Sequence, residues 1–212
     1  MERRVVIIGA GSVGLHIAAN AELYGLKDTI MGFLDDDTTK IGKSFYGIPV
    51  LDTVSWIGEQ GELDVVVGIA FPAAKQRIVA SIIHHEQLSF PTLIARQNVW
   101  ISNDCTIGKG TVVYPGCSVN YASVIGDFVV MNMNCALGHH ASIGNYTSLA
   151  PGVNLGGHTT VEEMVDLGIG TCTVQNVHIG QGAVIGGQAM LIHHVPPGST
   201  AKGVPAKINS NE

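Results

Sequence analysis

The chain has 212 residues, with 11 lysines and arginines against 17 aspartates and glutamates, a formal net charge of −6 at pH 7. That balance excludes a basic nucleic-acid-binding surface as its organising feature. Charged residues make up only 13 % and glycine is frequent at 27 residues, against roughly 25 % and 7 % in an average globular domain, while a 46 % hydrophobic content suffices for a core in one or two domains.

Only four apolar residues, Val5–Ile8, stand before the first glycine, too few for a signal-peptide core. No run approaches the ~20 apolar residues of a membrane span. A cytoplasmic protein without membrane insertion is the expectation. Cys105, Cys117, Cys135 and Cys172 show no CxxC spacing and read as reduced thiols.

In chain order, the strand Val5–Ile8 runs into Gly9-Ala-Gly11-Ser12-Val-Gly14 and a helical pattern through Tyr24. Glycines placed between a strand and a helix let the backbone approach a phosphate at the helix N-terminus. A second strand, residues 29–34, ends in Asp35, Asp36 and Asp37, about twenty residues past Gly14, where a dinucleotide-binding unit carries its acid. The same three acids also suit a turn and helix cap. Residues 65–69 read as another strand, 73–85 as a helix with His84 and His85 at its surface end, and 90–94 as a short strand. The predicted unit is a small parallel α/β sheet over residues 1–92. A nicotinamide-dependent oxidoreductase fits it poorly, because about ninety residues supply half of a full dinucleotide fold. A glycine loop facing acids equally suits the diphosphate and base of a nucleotide sugar.

From Ile101 the sequence divides into sixteen hexads without an insertion. Their first residue is Ile, Val, Leu or Met in fifteen, the exception being Thr173, and the fifth is Ala, Ser, Thr, Cys or Val in all sixteen. A large aliphatic followed four residues later by a small residue suits a triangular solenoid whose strands stack at roughly 4.8 Å, about 18 residues to the coil. Cys105, Cys117 and Cys135 hold the small fifth position and are expected in the core. Glycines at the second position, such as Gly108, Gly126, Gly144 and Gly180, are expected to permit tight or positive-φ turns.

The hexads resemble the left-handed parallel β-helix of hexapeptide-repeat acyltransferases. With the N-terminal unit, the whole chain resembles the sugar acyltransferases typified by bacterial UDP-4-amino-sugar N-acetyltransferases and sialic acid O-acetyltransferases. The residues carrying this are Gly9-Ala-Gly11-Ser12-Val-Gly14, Gly32-Phe-Leu-Asp35-Asp36, Gly47-Ile-Pro-Val-Leu51, Val67-Gly68-Ile69, Gly138-His139-His140-Ala-Ser-Ile-Gly144 and Gly203-Val-Pro-Ala-Lys207. The resemblance implies a Rossmann-like domain over 1–92 that holds a nucleotide-linked amino sugar through Gly9, Gly11, Ser12, Asp35, Asp36, Gly68 and Ile69. Residues 93–212 would form the left-handed β-helix and C-terminal tail, with acetyl-CoA bound between subunits of a homotrimer. The implied reaction is acetyl transfer to an amino or hydroxyl group of the sugar, in bacterial surface glycan biosynthesis.

The family's histidine base maps onto His139, and its asparagine in the preceding hexad onto Asn132. The acid that usually follows the base is replaced by His140, which is neighbour or substitute, with Asp127 a possible partner for His139. Ser148 stands where many relatives carry a second histidine near the thioester. Ser12-Val13 replaces a frequent Gly-His, and Ala70 a frequent polar residue. Backbone N–H groups near Gly156 and Gly157 are candidates for the oxyanion, and Gly168 and Gly170 for the pantetheine arm. Residues 101–190 contain one lysine, Lys109, and no arginine, so Lys202 and Lys207 in the tail are the candidate phosphate contacts.

Two other readings use the nine histidines. A zinc-binding β-helix of carbonic-anhydrase type would need three of them together. His140 and His158 share a hexad position one coil apart, and His194 lies two coils beyond, but no third histidine has suitable spacing, so no metal is expected. His158, His178, His193 and His194 read as exposed turn residues. A non-catalytic binding solenoid is the remaining class.

Overall fold

A computed structural model describes residues 4–209, and the chain divides into two compact units between Pro91 and Thr92.

In the first unit, β1 (Val5–Ile8), β2 (Ile30–Leu34), β3 (Ser44–Phe45), β4 (Ile48–Asp52), β5 (Leu63–Val67) and β6 (Leu88–Ser89) form one sheet in the order β3-β4-β2-β1-β5-β6. All pairs are parallel except the β3–β4 hairpin at the edge. β1 is central and buried throughout, which is why it reads as an unbroken apolar run. Helix α1 (Ser12–Ala19) stops short of the predicted end. The Asn20 side chain donates to the His16 carbonyl at 2.9 Å, and the chain tightens into a 3₁₀ turn, Ala21–Tyr24, that ends at Gly25 with φ 68°. Helix α2 (Pro72–Ile82) starts with proline in its first turn, where the missing N–H costs nothing.

The second unit is a left-handed parallel β-helix. Its two-residue strands stack in three flat faces, beginning with Leu93–Ile94 (face 1), Trp100–Ile101 (face 2) and Thr106–Ile107 (face 3). Each strand pairs with the one a coil later, as in Val112↔Val130, Ala136↔Asn154 and Ser142↔Thr160. The aliphatic hexad residues, among them Val119, Met131, Leu137, Leu149 and Leu167, point inward and form one continuous core with Cys117 and Cys135. Burying each such side chain is worth about 1.5–3 kcal/mol. The buried fifth-position hydroxyls are satisfied by the coil itself: Thr111 Oγ1 donates to the Gly126 carbonyl at 2.8 Å and accepts the Val129 N–H at 3.0 Å.

Two expectations change. The strand predicted at 90–94 is only Leu93–Ile94, the first rung of face 1, and an unpredicted strand, Leu88–Ser89, pairs with β5 before it. Ile94 and Ile101 lie seven residues apart, which hides the first rung from a six-residue count. The second-position glycines do not hold positive φ. Positive φ falls at the fourth position, as at Gly110, Ala122, Asn134, His140 and His158. The second-position glycine is required by close approach of the next coil. At Gly156, for example, a Cβ would lie 2.7 Å from the Val174 carbonyl carbon.

Candidate functional site

The C-terminal edge of β1, β2 and β5 in the first unit opens on a cavity of about 310 Å³. All seven residues expected to hold the nucleotide sugar line it: Gly9, Gly11, Ser12, Asp35, Asp36, Gly68 and Ile69. Three glycines make the floor possible. A Cβ on Gly14 would collide with the Gly9 carbonyl, and one on Gly68 would lie 2.7 Å from Gly14 Cα, so α1 packs directly on the strand ends.

Asp35 is engaged within the chain itself. Its Oδ2 accepts the Ala10 N–H and the Lys40 ammonium, both at 2.8 Å, and its Oδ1 accepts the Asp37 N–H at 2.9 Å. Burial disfavours its charge, but Lys40 and the Asp37 and Ala10 N–H groups outweigh that and hold the carboxyl below its ordinary range. It ties the glycine loop to β2. Asp36 is exposed, with Oδ1 accepting the Val54 N–H at 3.0 Å. Sequence reasoning missed Lys40, Phe71 and Arg77, which also line the cavity. Their signal was the short distance from the ends of β2 and β5.

In the second unit, the corner between faces 2 and 3 gathers aromatic rings. His139 and His140 follow the strand Ala136–Leu137, and their Nδ1 atoms lie 3.1 Å apart. The Tyr121 ring stacks on His139 from one coil before, with centroids 5.3 Å apart and planes at 14°. His158, one coil after, stacks on His140 at 4.7 Å and meets His139 edge-on at 5.0 Å. A third imidazole therefore does join His140 and His158. It is His139, from the neighbouring hexad position, which a search at equal positions overlooks.

Gly157 lies over His139: a Cβ there would sit 2.8 Å from His139 Nε2. At several corners the N–H of the third hexad residue is taken by a side-chain oxygen, as at Lys109, Tyr121, Asp127 and Met133, and at others among the described residues, such as Asn145 and Ile169, it is not. Among the described residues, the Gly157 N–H has no such partner. The Gly156 N–H is occupied, donating to Thr173 Oγ1 at 2.9 Å. Of the two expected oxyanion donors, Gly157 is the one left open.

A cavity of about 440 Å³ runs along face 2 beside this corner, lined by Trp100, Asn120, Gly138, Asn154, Gly156 and Cys172 among others. Gly168 and Gly170 lie at the far edge of the same face, where their N–H groups donate to the carbonyls of Ile185 and Pro151. In the tail, the strands Thr200–Lys202 and Lys207–Asn209 pair antiparallel with Lys202 directly opposite Lys207. Like charges placed so are destabilising unless an anion meets them.

Three expected residues are not brought to His139 in this chain. Asn132 sits at the corner between faces 1 and 2, its Oδ1 accepting the Met133 N–H at 2.8 Å. Ser148 lies in a face 1 strand and is 6 % exposed. Asp127 accepts the Lys109 N–H at 3.0 Å at the corner between faces 3 and 1, so the rings around His139 are those of His140, Tyr121 and His158. Elsewhere, His178 Nε2 meets Glu162 Oε1 at 2.8 Å.

Residues 4–82 match the PglD N-terminal domain family. No curated protein matches the chain. Among solved structures, the chain is similar to the acetyltransferase domain of PglB from Neisseria gonorrhoeae FA1090 in complex with acetyl coenzyme A, at 29 % identity and TM-score 0.89, covering 98 % of this chain and 99 % of that one. It is similar to PerB from Caulobacter crescentus, solved with CoA and GDP-perosamine, at 27 % identity and TM-score 0.88, over 98 % and 97 % of the two chains. WeeI from Acinetobacter baumannii AYE shares the fold at 24 % identity and TM-score 0.88, over 98 % of this chain and 100 % of that one.

Proposed function

We propose that this chain, which belongs to the hexapeptide-repeat sugar acyltransferases built on a PglD-type N-terminal domain, is a sugar N-acetyltransferase that moves the acetyl group of acetyl-CoA onto the amino group of a nucleotide-linked sugar. The observation that carries the reading is the placement of His139. Its Nδ1 is held by His140 at 3.1 Å, and its Nε2 lies against Gly157, where an added Cβ would sit 2.8 Å away, at the corner beside the face 2 cavity. The titles of the similar structures support the donor and acceptor classes, acetyl coenzyme A for PglB and GDP-perosamine for PerB.

With a proton on Nδ1, donated toward His140 Nδ1, the His139 Nε2 lone pair is free to act as base. The sugar amine attacks the thioester carbonyl carbon, and its proton passes to Nε2. The Gly157 N–H donates to the oxyanion that forms, an interaction worth about 3–4 kcal/mol of barrier. Collapse breaks the carbon–sulfur bond, and the imidazolium returns the proton to the departing thiolate. No acyl-enzyme is formed. Lys202 and Lys207 hold donor phosphates, and the cavity of the first unit holds the nucleotide, with Arg77 facing its diphosphate.

Trp100, Tyr121, Val124, Ile169 and Val184 are exposed on the β-helix. Apolar surface of this kind marks contacts between subunits, which supports a homotrimer that completes the donor site. Among the described residues, no helix is long and apolar enough to cross a membrane. The reading places the enzyme in the cytoplasm, where it makes a precursor of a surface glycan.

The test is incubation of the chain with acetyl-CoA and a panel of GDP-, UDP- and dTDP-linked 4-amino sugars, followed by mass spectrometry. One acceptor gaining a single acetyl group, at nitrogen, supports the reading. Free acceptors throughout, with acetyl-CoA intact, would overturn it.

A further inference from the structure

The base is surrounded by more nitrogen ligands than proton transfer needs. Each of His139, His140 and His158 offers one ring nitrogen, and these three atoms all lie within 4.8 Å of one another. His140 and His158 are exposed and His139 half-buried. The arrangement is built by the solenoid rather than by one flexible loop. His140 and His158 hold equivalent left-handed corner positions, with φ of 56° and 58°, and the His158 N–H donates to the His139 carbonyl at 2.9 Å. The ring of His140 is fixed between Tyr121, edge-on at 5.3 Å, and His158, stacked at 4.7 Å.

We propose that His139, His140 and His158 form a site for a divalent transition-metal ion, Zn²⁺ in the first instance, and that its occupation silences the base. Converging imidazole lone pairs are satisfied together by a cation. Three neutral nitrogens without carboxylate or carbonyl ligands select zinc, copper, nickel or cobalt over magnesium and calcium. Metal bound to a nitrogen of His139 competes with the tautomer needed for proton transfer. Three protein ligands leave a fourth tetrahedral position for water or an anion. The silencing half rests on the acetyltransferase reading; the metal site itself does not.

The test uses the purified full chain, stripped of metal with a chelator. Zinc content after equilibrium dialysis is measured for wild type, His140→Asn and His158→Asn. Asparagine suits the corner, because Asn176 holds the equivalent place one coil on with φ 62°, and retained thermal unfolding checks the fold. The expected result is one zinc per chain in wild type, with affinity about 100-fold or more weaker in either variant, since even loss of an outer-shell partner costs about 10- to 100-fold. Cobalt bound to wild type should show the visible absorption of tetrahedral coordination. Failure of wild type to retain zinc, or equal binding by wild type and His158→Asn, would overturn the site.

Acetyl transfer is then followed with and without zinc. Zinc should lower the wild-type rate reversibly and leave the metal-free rate of His158→Asn, whatever its level, unaffected at the same concentration. Wild type that binds zinc and transfers acetyl undiminished would overturn the silencing. Absence of transfer by the metal-free wild type would remove the enzymatic reading and the silencing with it, while the zinc counts still decide the site.

Discussion

Thr173 Oγ1 accepts the Gly156 N–H at 2.9 Å and lies 3.0 Å from Thr159 Oγ1. At equivalent corners the glycine N–H donates to a main-chain carbonyl one coil on, Gly126 to Ile143, Gly138 to Leu155 and Gly144 to Val161. The ladder thus changes partner immediately above the imidazole corner, and between the face 2 strands Asn154–Leu155 and Cys172–Thr173 only Asn154↔Cys172 remains paired. Thr173 is also the one hexad-first residue that is not aliphatic. The departure supplies a side-chain acceptor that holds the Leu155–Gly156 peptide, one residue before Gly157.

Thr173→Val restores the aliphatic pattern and removes that acceptor. A buried donor left unpaired costs about 1–3 kcal/mol, offset in part by roughly 0.8 kcal/mol for the added buried methyl. Stability should fall by about 1 kcal/mol, while kcat falls about tenfold, the equivalent of ~1.4 kcal/mol of barrier. Thermal unfolding and steady-state kinetics read the two effects, and an unchanged kcat would remove Thr173 from the positioning of the site.

Gly157→Ala tests the contact from above. Gly157 is not at positive φ, so alanine carries no backbone strain, and the nearest obstacle is the far end of the His139 ring. The ring must move. The expected outcome is near-native unfolding temperature with about 100-fold loss of kcat, since small displacements of a catalytic group cost that much. Full activity in a correctly folded Gly157→Ala would contradict the placement of the base.

Lys202→Ala combined with Lys207→Ala removes the paired tail charges. Because both side chains are exposed, each contributes weakly, and the double variant should raise KM for acetyl-CoA about tenfold with little change in kcat. The difference from wild type should shrink as salt is added. An unchanged KM at low salt would assign the donor phosphates elsewhere.

Asp35 sets a pH dependence. Its folded-state pKa is lowered, so its contribution is fully present above the unfolded value of about 3.9. It is lost as pH falls through the lower folded value. Asp35→Asn should therefore lower the unfolding temperature at neutral pH, with variant and wild type converging below about pH 4. A gap that stays constant into acid would mean that the carboxylate charge does not hold the glycine loop.

The solenoid was legible because one repeated pair of positions, large and small, determines every coil. Its first rung was hidden by a single extra residue between Ile94 and Ile101. The second-position glycines were recognised but for the wrong cause, since the approach of the next coil is not a local property of a turn. Gly9, Gly11, Ser12, Asp35, Asp36, Gly68 and Ile69, expected together from the sequence, line one cavity, whereas the use of Asp35 as a tether for Ala10 depends on contacts across the sheet. The imidazole cluster was only half visible. Residues a coil apart stack predictably, as Tyr121 does on His139 and His158 on His140, but the contact between neighbouring columns depends on ring rotation. Asn132 and Ser148, expected from the family resemblance alone, lie at the corner between faces 1 and 2 and on face 1, away from the imidazole corner.

The most direct test of the account is release of CoA thiol from acetyl-CoA in the presence of the accepted nucleotide-linked amino sugar, comparing wild type with His139→Ala under metal-free conditions. Acceptor-dependent release reduced about 10²- to 10⁴-fold in His139→Ala, with acetyl-CoA binding retained, is the predicted result. Release at the wild-type rate by a folded His139→Ala would contradict the assignment of His139 as the base.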